Sequence, residues 1–240
     1  MLDILILCAG KGTRLLPLTN LTPKPLLNLT ENQSILSRLV RQFDGKVEKI
    51  YVNISYLANK FIDGHDPIFL KKCHFVWEPE ILGSVKTLEL VSKLTKNSIL
   101  VMHGDLVLSD IGISGLLSEI FQHPEKSLLV VHERIRNLAR SSVDINENRT
   151  VLGFQEITTP DLSHEKCFSN SGIYYFSKAD LSLTNFFTST LIGQDLTSTL
   201  LPLLIEQKRL NAYFWTTERV SVDSLESLAI AQSLIQNTRL

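Results

Sequence analysis

Cysteine is scarce in this sequence. Cys8, Cys73 and Cys167 make an odd number with no metal-ligand spacing, which argues against a disulfide framework or a zinc module and for buried or incidental thiols. No apolar run approaches the roughly 20 residues of a membrane span, and no basic segment precedes the first apolar run as a secretory leader would require. A bias of charge is missing as well: 24 basic and 25 acidic residues give a net charge of −1, without the basic footprint of a nucleic-acid binder. Repeats, low-complexity runs and linkers are also lacking. What is present is 240 residues, 44% of them hydrophobic, with a mean hydropathy of +0.10. That suffices for one α/β domain with a full core, expected to be soluble, cytoplasmic and free of membrane or nucleic-acid partners.

The most informative stretch is residues 5–29, LILCAGKGTRLLPLTNLTPKPLLNL. Asp3 to Cys8 reads as an apolar strand, after which the chain turns through Gly10 and Gly12. Such a turn leaves backbone N–H groups facing an anion. The glycines remove side chains that would hold a phosphate away, Thr13 adds a hydroxyl and Arg14 a forked cation. Lys24 stands between Pro23 and Pro25, whose fixed φ values predict an extended, stiff carrier for its ammonium. A dinucleotide turn would need a third glycine near Leu15, and a Walker loop would need a lysine after the second glycine, whereas Lys11 precedes it.

The remaining pattern alternates strands and helices. Strands are expected at Lys49 to Ile54, His74 to Trp77 and Ser98 to Met102, with helical spacing at Ser34 to Phe43, around Tyr56 to Ile62 and at Ser84 to Leu94. The second half reads as strands at Leu128 to His132, Ser141 to Ile145, Val151 to Gln155, Gly172 to Phe176 and Leu210 to Trp215. Helices are expected at Leu196 to Glu206 and Leu225 to Ile235. The reading is an α/β, Rossmann-like fold with a mixed, mostly parallel central sheet flanked by helices in a single domain. Its expected halves are residues 1–110 and 111–240. Trp77 and Trp215 are expected in the core.

The first stretch resembles the signature of the sugar-1-phosphate nucleotidyltransferases (NDP-sugar pyrophosphorylases), L-x-A-G-x-G-T-R-L-x-P-L-T followed after a short gap by P-K-P-L. Leu7, Ala9, Gly10, Gly12, Thr13, Arg14, Leu15, Pro17, Leu18, Thr19, Pro23, Lys24, Pro25 and Leu26 fill every fixed position. The resemblance implies transfer of a nucleotide from a nucleoside triphosphate to a sugar 1-phosphate with release of pyrophosphate, dependent on magnesium, and is compatible with a homo-oligomer.

It also assigns roles, making residues 1–110 the nucleotide-binding half and 111–240 the sugar-phosphate-binding half. Asp105, in His103-Gly104-Asp105 after a buried strand, matches the family's magnesium ligand, and one or two carboxylates suffice for that ion. Asp223 fits a second ligand position before the last helix, although an alternative alignment puts Ser221 there. Glu78, Gly83 and Ser84 match the base-recognition segment. The acceptor-only carboxylate of Glu78 suits guanine better than an imide edge. Glu156 and Asn170 match sugar-binding positions. The family's lysine after that glutamate is Ile157 here, leaving Arg140, Lys166 and Arg219 as replacements, and Ser141 stands where relatives usually have glycine. No C-terminal β-helix or acyltransferase extension is expected. Alternatives are a cytidylyltransferase acting on a non-sugar phosphate such as phosphocholine, and a non-catalytic relative that binds nucleotide sugar. A Rossmann-type oxidoreductase fits least.

Overall fold

The structure is a computed structural model that describes residues 1–63, 67–158, 164–183 and 194–237. In chain order the strands are β1 (Leu2–Leu7), β2 (Asn28–Thr30), β3 (Gln33–Ser34), β4 (Ile50–Ile54), β5 (Cys73–Trp77), β6 (Ser98–His103), β7 (Leu106–Leu108), β8 (Ser127–Ile135), β9 (Ser141–Ile145), β10 (Val151–Glu156), β11 (Lys166–Phe176), β12 (Leu210–Phe214) and β13 (Arg219–Ser221). The helices are α1 (Ile35–Phe43), α2 (Pro67–Lys72), α3 (Ser84–Leu94), α4 (Asp110–Gln122), α5 (Lys178–Leu181), α6 (Leu200–Glu206) and α7 (Leu225–Asn237). The fold is the expected α/β class, a mixed central sheet flanked by helices. Its chain folds as two compact units, one of residues 1–81, 102–113 and 218–240, the other of residues 82–101 and 114–217.

In the first unit β1, β4 and β5 run parallel, with Leu7 beside Asn53 and Ile54 beside Trp77. Ile4, Leu5 and Ile6 are fully buried, the continuous apolar run of a strand covered on both faces. Ser34 caps α1 through a reciprocal hydrogen-bond pair with Ser37, and Ile35, Leu36, Leu39, Val40 and Phe43 form its buried face. β13 pairs antiparallel with β7, and the Val222 amide donates to the Asp105 carbonyl at 2.9 Å. Trp77 departs from expectation: among the described residues β5 has one neighbouring strand, and the indole at its end is 67% exposed.

In the second unit β11 pairs antiparallel with β8 and β9, β9 with β10, and β12 runs parallel to β8. β11 extends six residues ahead of the expected start at Gly172, because its polar N-terminal half is held by pairing with β8. Its register shifts between Asn170 and Tyr174, where Gly172 adopts φ +72°, a bulge that suits glycine. A carboxylate anchors the following turn: buried Asp180 accepts from Ser127 and Ser177 hydroxyls and pairs with Arg209. α4 has no counterpart in the expected elements, since Gly112 and Gly115 interrupt its helical pattern. Gly115 is nevertheless apt, for a β-carbon there would lie 2.8 Å from the Tyr213 hydroxyl oxygen.

Candidate active site

The glycine turn leaves the sheet at Leu7. Gly12 has φ +63°, and a β-carbon there would meet the side chains of Lys24 and Thr19 at 3.1 Å, so glycine is needed both for the turn and for the approach of the lysine segment. Thr19 ties the loop by donating to the Gly12 carbonyl at 2.9 Å. Residues Thr13–Leu15 form a 3-10 turn closed by the Leu15 amide on the Gly12 carbonyl. Leu15 is 1% exposed and contributes about 2 kcal/mol of burial, anchoring a turn from which Thr13 and Arg14 face solvent. Gly10 has nothing within 4 Å of where a β-carbon would stand. That open side leaves backbone accessible to an anion.

Lys24 opens a 3-10 turn, Lys24–Leu26, instead of the extended segment expected from its flanking prolines. Two hydrogen bonds, Leu26 amide to Pro23 carbonyl at 2.8 Å and Leu27 amide to Lys24 carbonyl at 3.1 Å, outweigh the pre-proline bias. The result still holds the ammonium on a fixed backbone. Its Nζ meets Asp105 Oδ2 at 2.5 Å, with side-chain exposures of 16% and 17%.

Asp105 reaches that position through the turn joining β6 and β7. Gly104 donates its amide to the Leu7 carbonyl at 2.9 Å, and a β-carbon on it would stand 2.5 Å from Cys8 Sγ and 3.0 Å from the Leu7 carbonyl oxygen. Only glycine permits this approach of the Asp105 turn to the start of the phosphate turn. The other carboxylate oxygen, Oδ1, is buried without a hydrogen-bond partner, a costly state for an anion. Burial first, then the Asp105 charge, pushes the Cys8 thiol well above its usual range, which favours the protonated, less reactive form.

The structure brings Asp223 to the same stretch of backbone. Ser221 pairs with Leu106 and Val222 bonds to Asp105, so Asp223 is the next residue along. The cap of α7 falls to Ser224, which exchanges hydrogen bonds with Ser227, and the Asp223 amide also donates to Ser227 Oγ. Asp223 Oδ1 in turn accepts from Ser227 Oγ at 3.5 Å. Among the described residues no three His, Cys, Asp or Glu side chains cluster as a metal site.

Glu78, also in this unit, is 1% exposed and accepts from Asn53 Nδ2 at 3.0 Å. Sequence reasoning passed over Asn53; its signal was a polar residue inside the apolar strand KIYVNI.

The other assigned residues lie in the second unit. Gly83 has φ +86° at the start of α3. Ser84 donates to Asp195 Oδ1 at 3.2 Å and accepts from the Leu196 amide at 2.9 Å. Glu156 ends β10 and accepts from Thr197 Oγ1 at 3.0 Å. Asn170 spans the β11 bulge, Oδ1 accepting from the Gly172 amide at 2.8 Å and Nδ2 donating to the Tyr174 hydroxyl at 2.7 Å. Its own amide donates to Ser141 Oγ, which also contacts Ser169 Oγ at 3.1 Å. Lys166 pairs with Glu133 at 2.7 Å. Asp195 and Thr197 had no sequence signal, because their partners lie 111 and 41 residues away.

The chain is similar to known proteins along most of its length. Over 223 residues, 89% of the chain, it is 27% identical to the bifunctional protein GlmU of Methanococcus aeolicus, covering 50% of that protein. It is 28% identical over 184 residues, 74% of the chain, to the Drosophila melanogaster mannose-1-phosphate guanylyltransferase catalytic subunit beta, covering 48% of it. The chain thus spans about half the length of these curated relatives. A Bacillus anthracis structure described as a glucose-1-phosphate thymidylyltransferase in complex with sucrose shares the fold, with a TM-score of 0.82 at 18% identity over 99% of this chain and 96% of that one. Residues 4–232 match the family model described as nucleotidyl transferase, and the chain belongs to that family.

Proposed function

We propose that this protein condenses a nucleoside triphosphate with a sugar 1-phosphate, releasing pyrophosphate. The observation that carries the reading is the Lys24–Asp105 pair set against the glycine turn, with one Asp105 oxygen buried and unpartnered. The attacking oxygen of a phosphate monoester is already ionised at neutral pH, so the reaction needs no general base and no covalent intermediate. What it needs is the approach of two anions in line at the α-phosphorus, with charge neutralised as it develops.

The residues divide that work. Lys24 faces the α-phosphate, while Arg14 and the amides of Gly10 to Thr13 hold the leaving pyrophosphate. Asp105 Oδ1 fits a divalent cation, since a buried carboxylate oxygen without a donor is the natural ligand of one and magnesium uses few protein carboxylates. Asp105 and Asp223 would hold magnesium, and the ion when bound supplies positive charge to the converging phosphates. Gly83 and Ser84 receive the base, and Glu156 and Asn170 the sugar hydroxyls. The names of the Drosophila and Bacillus relatives both specify a sugar 1-phosphate, which favours that acceptor over a non-sugar phosphate; they differ in base, guanylyl against thymidylyl.

A grid of five nucleoside triphosphates against hexose, hexosamine and N-acetylhexosamine 1-phosphates, read by pyrophosphate release with and without a chelator, tests the proposal. Release with one sugar 1-phosphate, abolished by chelation, is the expected result. Release only with CTP and phosphocholine, or thermal stabilisation by nucleotide sugars with no turnover, would overturn it.

A further inference from the structure

The residue just before the glycine turn is held in an unusual way. β1 ends at Leu7, in register with Asn53 of β4. The next amide, that of Cys8, turns to a side chain and donates at 2.6 Å to Asn53 Oδ1. The neighbouring Ile54 carbonyl is engaged from the other side by the Glu78 amide at 2.8 Å. Asn53 is 4% exposed, and its Nδ2 is turned by Glu78 Oε1, itself on a residue 1% exposed. A relay of three groups therefore runs from the end of β5 through β4 to the point where β1 becomes the phosphate turn.

We propose that Asn53 is a positioning residue for the phosphate turn, and that Glu78 acts by orienting Asn53 and not by reading the base. The amide of Asn53 is directional: its carbonyl oxygen must face Cys8 and its NH2 must face a carboxylate. Glu78 as an acceptor-only group enforces that orientation, since a flipped amide would set oxygen against oxygen. Capturing the Cys8 amide with a side chain takes the chain out of the ladder at one defined residue. The amides of Gly10 to Thr13 then start from a fixed origin. The catalytic side of this inference rests on the proposed nucleotidyl transfer; the conformational side does not.

Exchange of polarity tests it. N53D sets two carboxylates face to face. N53D/E78Q restores the relay, because the amide introduced at position 78 can donate to the carboxylate introduced at position 53, which still accepts from the Cys8 amide. In N53D we expect faster amide hydrogen exchange across residues 8–12 and a nucleoside triphosphate KM raised about tenfold, with kcat at saturation changed much less. N53D/E78Q should return both quantities to within about threefold of the parent protein, and E78Q alone should leave base preference unaltered. If N53D does not fold, folding of N53D/E78Q is the rescue. The proposal is overturned if the double variant recovers neither exchange protection nor KM, or if E78Q alone shifts base preference. Absence of turnover in the parent protein with rescue of exchange intact would sink the enzymatic reading and leave this one standing.

Discussion

Asp105 and Asn170 are both polar residues placed on or beside buried strands, yet their surroundings differ. In the first unit Asp105 keeps one oxygen out of water with no donor and gives the other to a lysine. In the second, Asn170 uses both ends of its amide within its own strand, and Ser141 and Ser169 contact each other beside it. The first arrangement stores unsatisfied charge; the second is neutral and mutually satisfied. Charge held ready for a ligand is the mark of a reacting centre, and a preformed neutral network is a mark of shape and hydroxyl recognition. Under the proposed function, the contrast corresponds to chemistry in the first unit and selectivity in the second.

The sharpest way to break that contrast is to remove the charge. Lys24→Ala is expected to lower turnover by about 10²–10³ at saturating substrate, the usual range for one electrostatic donor, read as pyrophosphate release; turnover close to the parent's would remove Lys24 from the chemistry. Gly104→Ala attacks the geometry instead, forcing a methyl group to within 2.5 Å of Cys8 Sγ. A loss of about 1–3 kcal/mol in urea unfolding is expected, together with reduced turnover as Asp105 is displaced. In the second unit Asn170→Ala removes the bulge brace; the expected cost is about 1–2 kcal/mol, with a raised KM for the sugar phosphate and kcat nearly kept. A large kcat defect there would blur the division of labour.

The smallest effect concerns the thiols. Burial pushes Cys73 up to about 12 and Cys8 well above its usual range. Both stay protonated in the folded protein where unfolded thiols ionise. Their contribution to stability is thus complete below about pH 8.5 and is lost as pH rises from there toward 12. At pH 8.5 an alkylating reagent should label Cys167 first in the native protein, and Cys8 and Cys73 only after denaturation, as mass spectrometry of the labelled chain would show.

Much of the phosphate turn was legible because its signals are local. Glycine placement, the apolar strand and the fixed residues from Leu7 to Leu26 all lie within one short stretch. Elsewhere, long-range context decided the outcome. Lys24 adopted a 3-10 turn against its proline bias because two turn hydrogen bonds held it. Trp77 lies at the end of β5, an edge strand among the described residues, and is exposed, whereas Cys73 at the start of the same strand is buried. The α4 helix was hidden by two glycines, one of them required by the Tyr213 hydroxyl oxygen. Asn53 looked like an ordinary polar residue in a strand, and its partners Cys8 and Glu78 lie 45 and 25 residues away.

The discontinuity of the first unit bears on how the protein is made. That unit draws on residues 1–81, 102–113 and 218–240, so during synthesis its β13 strand and the segment carrying Asp223 emerge only after every residue of the second unit. β7 must then wait for its partner while more than a hundred intervening residues are translated, whereas the second unit is complete in the nascent chain by residue 217. A nascent chain that has exposed residue 217 but not β13 would carry every residue of the second unit beside a β7 still without its partner strand, the order in which proteases or chaperones would meet this polypeptide.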